Sequence, residues 1–378
     1  MVSVALGAGL LPVYLTTFAA EFGGLGESEL GRLPGALFAG FVVGILLTGP
    51  LADRLGSKLF LLGGLGMSVA GLVAGSLAPA FNGLLAAAAM LGLGSGVVDA
   101  LMSPIVAAVQ VERRAAALNW VHAFYSIGVV GIVVIATGSM ALGVSWRTTM
   151  LVLSLLPVAC LVGFVGVELP PLVHPGQQRQ RLRVLFRWPR FYLAGLIIFL
   201  AGATEEGISQ WLPAYAELSL GYGKATAGMA LSGFALAHGL GRVLGSSRWN
   251  MMSPYRLLVV AAGFSGLCFL LGAWAPAPGV GLIACMLCGL GCSVLWPTNL
   301  AITADRIPHG GASLFGIMAG LGNLGCAVAP WAAGILGERT SLRTALFVGT
   351  ASPLLIVVLA LVILRWDRAA ELRIRNEK

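Results

Sequence analysis

Apolar runs of about 20 residues follow one another along almost the whole chain, separated by short clusters of charge, proline and glycine. A helix rises about 1.5 Å per residue, so a run of that length crosses the hydrocarbon core of a bilayer. Cutting the chain at each interruption predicts twelve spanning helices, at 2–20, 31–51, 58–78, 83–110, 115–142, 146–168, 190–216, 225–247, 255–275, 279–304, 311–336 and 343–365. The fold class that follows is an all-α membrane protein. One long polar connection, from Glu168 to Pro189, separates six spans from six. The expected organisation is a six-helix bundle over 1–168, a linker over 169–189, a second six-helix bundle over 190–366 and a tail over 367–378. The first run has no basic flank or small-residue cleavage site, and its length suits a retained helix better than a signal peptide.

Composition supports the same picture. Hydrophobic residues make up 58% of the chain and charged residues 10%, where a soluble domain carries about 25% charged. The 53 glycines suit helices that approach closely in lipid. The net charge of +8 invites a polyanion partner, but the distribution of the basic residues explains it better. If alternate connections share a side, 18 of the 23 Lys and Arg residues fall on the side of the linker and both termini, leaving Arg32, Arg147, Lys224, Arg339 and Arg343 opposite. The positive-inside rule then places both termini in the cytoplasm, with the protein in the cell membrane and no nucleic-acid partner. The six cysteines lie inside apolar runs, and Cys285, Cys288 and Cys292 read as small packing residues rather than metal ligands. No Ser-His-Asp order, phosphate loop or metal-ligand spacing points to an enzyme, and no cofactor or metal is expected.

The halves resemble each other. LGLGSGVVDALMSPIVAAV from Leu91 matches CGLGCSVLWPTNLAITADR from Cys288, and LFAGFVVGILLTGPLADRLGS from Leu37 matches LSGFALAHGLGRVLGSSRW from Leu231. Gly49-Pro50-Leu51-Ala52-Asp53-Arg54-Leu55-Gly56-Ser57-Lys58, after the second span, resembles the loop 2–3 signature of the major facilitator superfamily. That resemblance implies two six-helix halves rocking around a central site. It also implies a cytoplasmic latch built from Asp53, Arg54 and Arg113, with a degenerate counterpart at Arg242. Spans 4, 5 and 7 carry Gly94 to Pro104, Leu118 to Gly128 and Gly202 to Pro213, which are similar to the fucose/galactose/glucose:proton symporter family. The resemblance implies that a carboxylate at Asp99 binds solute or coupling ion and that span 5 reaches a sugar. The stretch Ala8 to Pro12 lacks the first-helix acid of that family's permease.

The same positions stand out on physical grounds. A charged residue at the centre of a membrane helix costs about 2.5 kcal/mol or more, so it faces a cavity or a partner. Asp99, Glu205 and Glu206 are such residues, candidates for ion coupling by H+ or Na+. Adjacent residues on a helix point about 100° apart. Glu206 is therefore preferred over Glu205, because Gln210 at i+4 shares its face. Asn119, His122 and Ser126 form a polar stripe on span 5 with Tyr125 beside it. Trp211, Trp296, Tyr14 and Tyr125 are candidate platforms for the apolar face of a sugar; lipid-interface or packing duty is the better reading of any single ring, and Trp211 and Trp296 rise above it because Gln210 adjoins one and Thr298 and Asn299 the other. Asn323 is either a ligand or an interhelical hydrogen bond. Arg242 reads as a snorkelling or gating cation and His238 as a gate or relay.

Together these features lead to an expectation of cation-coupled uptake of a hexose or related small polar solute by a monomer in the bilayer. Proton-coupled efflux of a drug or metabolite and uncoupled facilitation are the alternatives.

Overall fold

The computed structural model describes residues 1–110, 112, 114–169, 189–247, 252–306 and 311–376. The side chains of 49, 50, 53–55, 107, 114–116, 118, 119, 245–247, 306, 311–313 and 367–376 are outside that description. The expected latch residues Asp53, Arg54 and Arg113, the side chain of Asn119 and nearly all of the linker therefore lie outside it.

The described residues are helical with no strand, and the helices complete twelve spans. Span 1 is Leu6–Leu10, a 3₁₀ turn at Pro12–Tyr14 and Leu15–Glu21. A short helix, Glu27–Leu30, leads into span 2, Arg32–Leu55, and span 3 is Ser57–Ser76. Spans 4, 5 and 6 are Phe81–Val109, Arg114–Ala141 and Trp146–Val165. Span 7 is Pro189–Ser209 continued by Leu212–Leu218, and span 8 is Lys224–Ser247. Spans 9, 10 and 11 are Pro254–Trp274, Pro278–Arg306 and Gly311–Arg339. Span 12 is Leu342–Gly349 with Ala351–Asn376, so helix continues through most of the segment expected as a tail. Among the described residues, ten spans contain a helix long and apolar enough to cross a membrane, and spans 1 and 8 complete the set.

Spans 1 and 7 break for the same reason. Pro12 has no N–H for the carbonyl four residues back, Ala8, and Pro213 has none for Ser209. Leu11-Pro12-Val13-Tyr14 and Leu212-Pro213-Ala214-Tyr215 are copies of one element in the two halves. Each tyrosine anchors its break inside its own half: Tyr14 Oη donates to Ala136 O at 2.9 Å, and Tyr215 Oη donates to Gly272 O at 2.7 Å.

The matched glycines of spans 4 and 10 are matched in packing too. A Cβ on Gly92 would overlap Leu37 O of span 2, and one on Gly289 would overlap Phe234 O of span 8. Only glycine allows these backbones so close.

The halves meet along spans 2 with 11, 5 with 8 and 1 with 7, and they are sealed on the face that carries the 1–2 and 11–12 connections. Gly334 leaves no room for a Cβ beside Glu27 O, Ser28 N donates to Glu338 Oε2 at 2.8 Å, and Thr16 Oγ1 donates to Glu217 Oε2 at 2.7 Å. Trp211 Nε1 donates to Pro330 O at 2.8 Å in the same layer.

On this sealed face Glu21 at the end of span 1 receives the Trp146 indole N–H and the Arg147 guanidinium, and Arg147 also donates to Ala78 O at 2.9 Å. Partial burial works against the Glu21 carboxylate, but the bonds from Trp146 and Arg147 prevail and hold its pKa below the usual value. A depressed carboxyl stabilises the fold above its unfolded pKa and loses that contribution as pH falls through the folded one. Glu21→Gln should cost about 0.5–1 kcal/mol at neutral pH, the worth of a partly exposed pair, with the difference from the parent vanishing in acid. Thermal unfolding in detergent at several pH values checks this, and equal melting temperatures at neutral pH would refute it.

Candidate functional site

Halfway along the spans, polar side chains from both halves converge. Span 7 contributes Glu205 and Glu206, which point different ways and are both used. Glu205 Oε1 lies 3.1 Å from His238 Nε2 of span 8, an ion-pair distance. Glu206, 5% exposed, accepts on Oε2 from Ser209 Oγ at 2.7 Å and Gln210 Nε2 at 2.8 Å. The i+3 and i+4 spacing on span 7 makes those two bonds possible. His238 also brings Nδ1 to 3.5 Å from Ser126 Oγ of span 5, and its ring stacks on Phe234 one turn earlier, so span 8 touches both halves at this level.

Arg242 follows His238 by one turn on the same face. Its charge acts on Asp99 of span 4, His122 and Tyr125 of span 5 and Glu205 of span 7, which places it among the groups of both halves. Its Nε is buried and has no hydrogen-bond partner among the described residues. Arg242, expected as a snorkelling or gating cation, thus lies within electrostatic reach of the central polar groups of both halves. Counting residues from the helix ends gives depth, but the face of the helix decides, and this face is shared with His238. Asp99, Tyr125, Glu205 and Arg242 are half-buried and His122 is exposed. With the opposite face sealed, that opening is toward the linker side.

Several expected ligands lie elsewhere. Tyr14 is 1% exposed, and its hydroxyl serves Ala136 O and, at 3.2 Å, Thr149 Oγ1. Trp211 is packed in the seal, with its N–H given to Pro330 O. Asn299 is 2% exposed and donates to Ala194 O of span 7 at 3.0 Å, a bond inside one half. Asn323 donates to Ala319 O of its own helix at 3.0 Å. Trp296 lies against Gly322, where only a glycine admits its ring. Tyr14, Trp211 and Asn299 each give their donor to a backbone carbonyl of a neighbouring helix.

An apolar cavity lies within the second half, lined by Ala203, Trp211, Tyr215, Phe269, Leu346 and Gly349 among others. The Tyr215 hydroxyl is committed to Gly272 O, so the cavity offers little to hold a polar solute. His238 is the site residue whose role was least visible in the sequence; its i+4 relation to Arg242 was the available signal.

The family model described as Major Facilitator Superfamily matches residues 1–309 and 218–378. A gentisate transporter of Corynebacterium glutamicum is 29% identical over 341 residues, 82% of this chain and 73% of the relative. The "Probable nitrate/nitrite transporter" of Mycobacterium tuberculosis is 25% identical over 326 residues, 82% of this chain and 80% of the relative. Among solved structures, the E. coli fucose:proton symporter superposes with a TM-score of 0.66 at 17% identity, covering 95% of each chain, which establishes likeness of fold.

Proposed function

Because the chain belongs to the major facilitator superfamily, we propose that it is a proton-coupled secondary transporter whose solute is a small carboxylate or oxyanion held by Arg242. The observation that carries this reading is the buried Nε of Arg242, an unused donor among groups of both halves. A guanidinium offers a planar fork of donors that matches carboxylate and oxyanion geometry. Two relatives are named for anions, gentisate and nitrate, which favours the same chemistry.

The surrounding acids supply the coupling. With Asp99, Glu205 and Glu206 all ionised, the cluster is too negative to admit an anion. Protonation of Glu206 lowers that repulsion enough for Arg242 to take the solute as a new counter-ion, so one proton and one anion bind together. The linker face, with both termini, is cytoplasmic by its basic excess, and the sealed face is the outer one. The cycle is alternating access by rocking of the two halves, and its direction is uptake by a monomer.

A neutral polyhydroxyl solute such as a hexose is the second reading, favoured by the span 5 face on which His122, Tyr125 and Ser126 could meet hydroxyls. The two differ electrically. One anion moving with one proton carries no net charge, whereas a neutral sugar with a proton is electrogenic. Purified protein in liposomes should accumulate labelled gentisate or benzoate in response to a pH gradient, without sustained current on a solid-supported membrane. A sustained current evoked by fucose or glucose would move the assignment to the sugar, and dependence on sodium would replace the coupling ion.

A further inference from the structure

The breaks in spans 1 and 7 face each other, and one side chain joins them. Gln210, 1% exposed, sits where span 7 breaks, and its Nε2 has two acceptors: Glu206 Oε2 at 2.8 Å and, across the interface between the halves, Ala8 O at 3.5 Å. Ala8 is the residue whose carbonyl loses its regular helical donor, because the residue four positions on is Pro12. The amide is therefore shared between a titratable group in one half and an orphaned backbone acceptor in the other.

We propose that Gln210 transmits the protonation state of Glu206 to the seal between spans 1 and 7. An ionised acceptor holds a donor about twice as strongly as a neutral one. The Glu206 carboxylate accordingly draws the amide toward itself, as the shorter of the two distances reflects. Once Glu206 takes a proton, its pull falls and the second N–H of the amide closes on the Ala8 carbonyl, to which Pro12 offers no helical N–H. Protonation thereby tightens the seal, and loss of the proton loosens it. Around Glu206, Glu205 stands on the same helix and interacts with His238 and Arg242 of span 8; Tyr125 of span 5 and Cys326 of span 11 also feel both acids. Among these, only Glu206 contacts the shared amide. Gln210 is a positioning residue in this scheme, since it acts through the coupling acid and need not touch solute.

The inference rests on the coupling role given above to Glu206, so the experiment separates the two. Spin labels at Leu77→Cys and Thr340→Cys, exposed positions on the sealed face of opposite halves, would report its closure by electron–electron distance measurement. The full chain is used in nanodiscs, with the six native cysteines replaced. In the parent, going from mildly alkaline to mildly acid pH should raise the sealed-to-open ratio about fivefold, the worth of one net hydrogen bond. Gln210→Met keeps the length of the side chain without the amide and should abolish that response, with the melting temperature recorded beside it so that loss of the relay is read only from protein that is folded at both pH values. Pro12→Ala is an independent variant. It restores a helical N–H to the Ala8 carbonyl, and should blunt the response with Glu206 and Gln210 both intact. A parent-like pH response in Gln210→Met, or no response in the parent, would overturn the relay. If Glu206→Gln still accumulates gentisate or benzoate under a pH gradient, the coupling assignment fails and the relay with it. If Glu206→Gln cannot accumulate but Gln210→Met responds normally, only the relay fails.

Discussion

Arg242→Ala should abolish measurable uptake of the transported anion, and Arg242→Lys should recover part of it. Removing one partner of a buried charge-assisted contact costs about 2–4 kcal/mol, on the order of a hundredfold in affinity. Lysine keeps the charge but loses the planar fork, so its KM should sit about tenfold above that of the parent. The pair of variants matters because Arg242 also balances Asp99 and Glu205 in the fold. Alanine leaves those charges without their cation, and lysine does not. Initial rates of gentisate and benzoate uptake, with melting temperatures measured alongside, give the comparison. Parent-like KM in Arg242→Ala would remove the anion assignment, and a selective loss of hexose transport would favour the sugar.

Glu206→Gln should convert an accumulating transporter into an equilibrating one. Under a pH difference of one unit, a single coupled proton is worth about 1.4 kcal/mol and drives about tenfold accumulation. Glutamine retains the shape of the side chain and an acceptor oxygen for Ser209 and Gln210, so the local packing survives. It cannot carry a proton. The accumulation ratio should fall to about one while exchange of labelled for unlabelled solute continues, and the pH dependence of that exchange should flatten. Radiolabel accumulation and counterflow in the same liposomes provide both numbers.

The twelve spans could be read from the sequence because lipid demands a length and a polarity that composition reveals directly. Their azimuths could not. Asn299 and Gln210 look alike as polar residues in apolar helices, yet one is bonded to Ala194 O inside its own half and the other stands between the halves. Gln210 was recognisable through its i+4 relation to Glu206, a local geometry. Asn299 had no such local partner, and its acceptor lies 105 positions away. The depth of Arg242 near the end of span 8 was legible, but not its nearness to Asp99 and Glu205 of two other spans, which depends on how the helices are turned. Tyr14 was read as a candidate platform, and its place at a break appears only when it is set beside Tyr215, the other tyrosine of the Leu-Pro-x-Tyr pair.

The anchoring of span 1 also bears on how the chain is made. Span 1 leaves the ribosome ahead of the other eleven, yet its polar groups find their partners far downstream: Tyr14 at Ala136, Glu21 at Trp146 and Arg147, and the Ala8 carbonyl at Gln210. Spans 2 and 4 need no such wait, because Gly40 and Gly44 lie against Ala89 and Leu93 as soon as the fourth segment has been inserted. The order of insertion and the order of completion are therefore different. Among the twelve spans, 2 to 4 can close on one another first, and span 1, translated before them, docks late, when spans 5, 6 and finally 7 arrive to receive it.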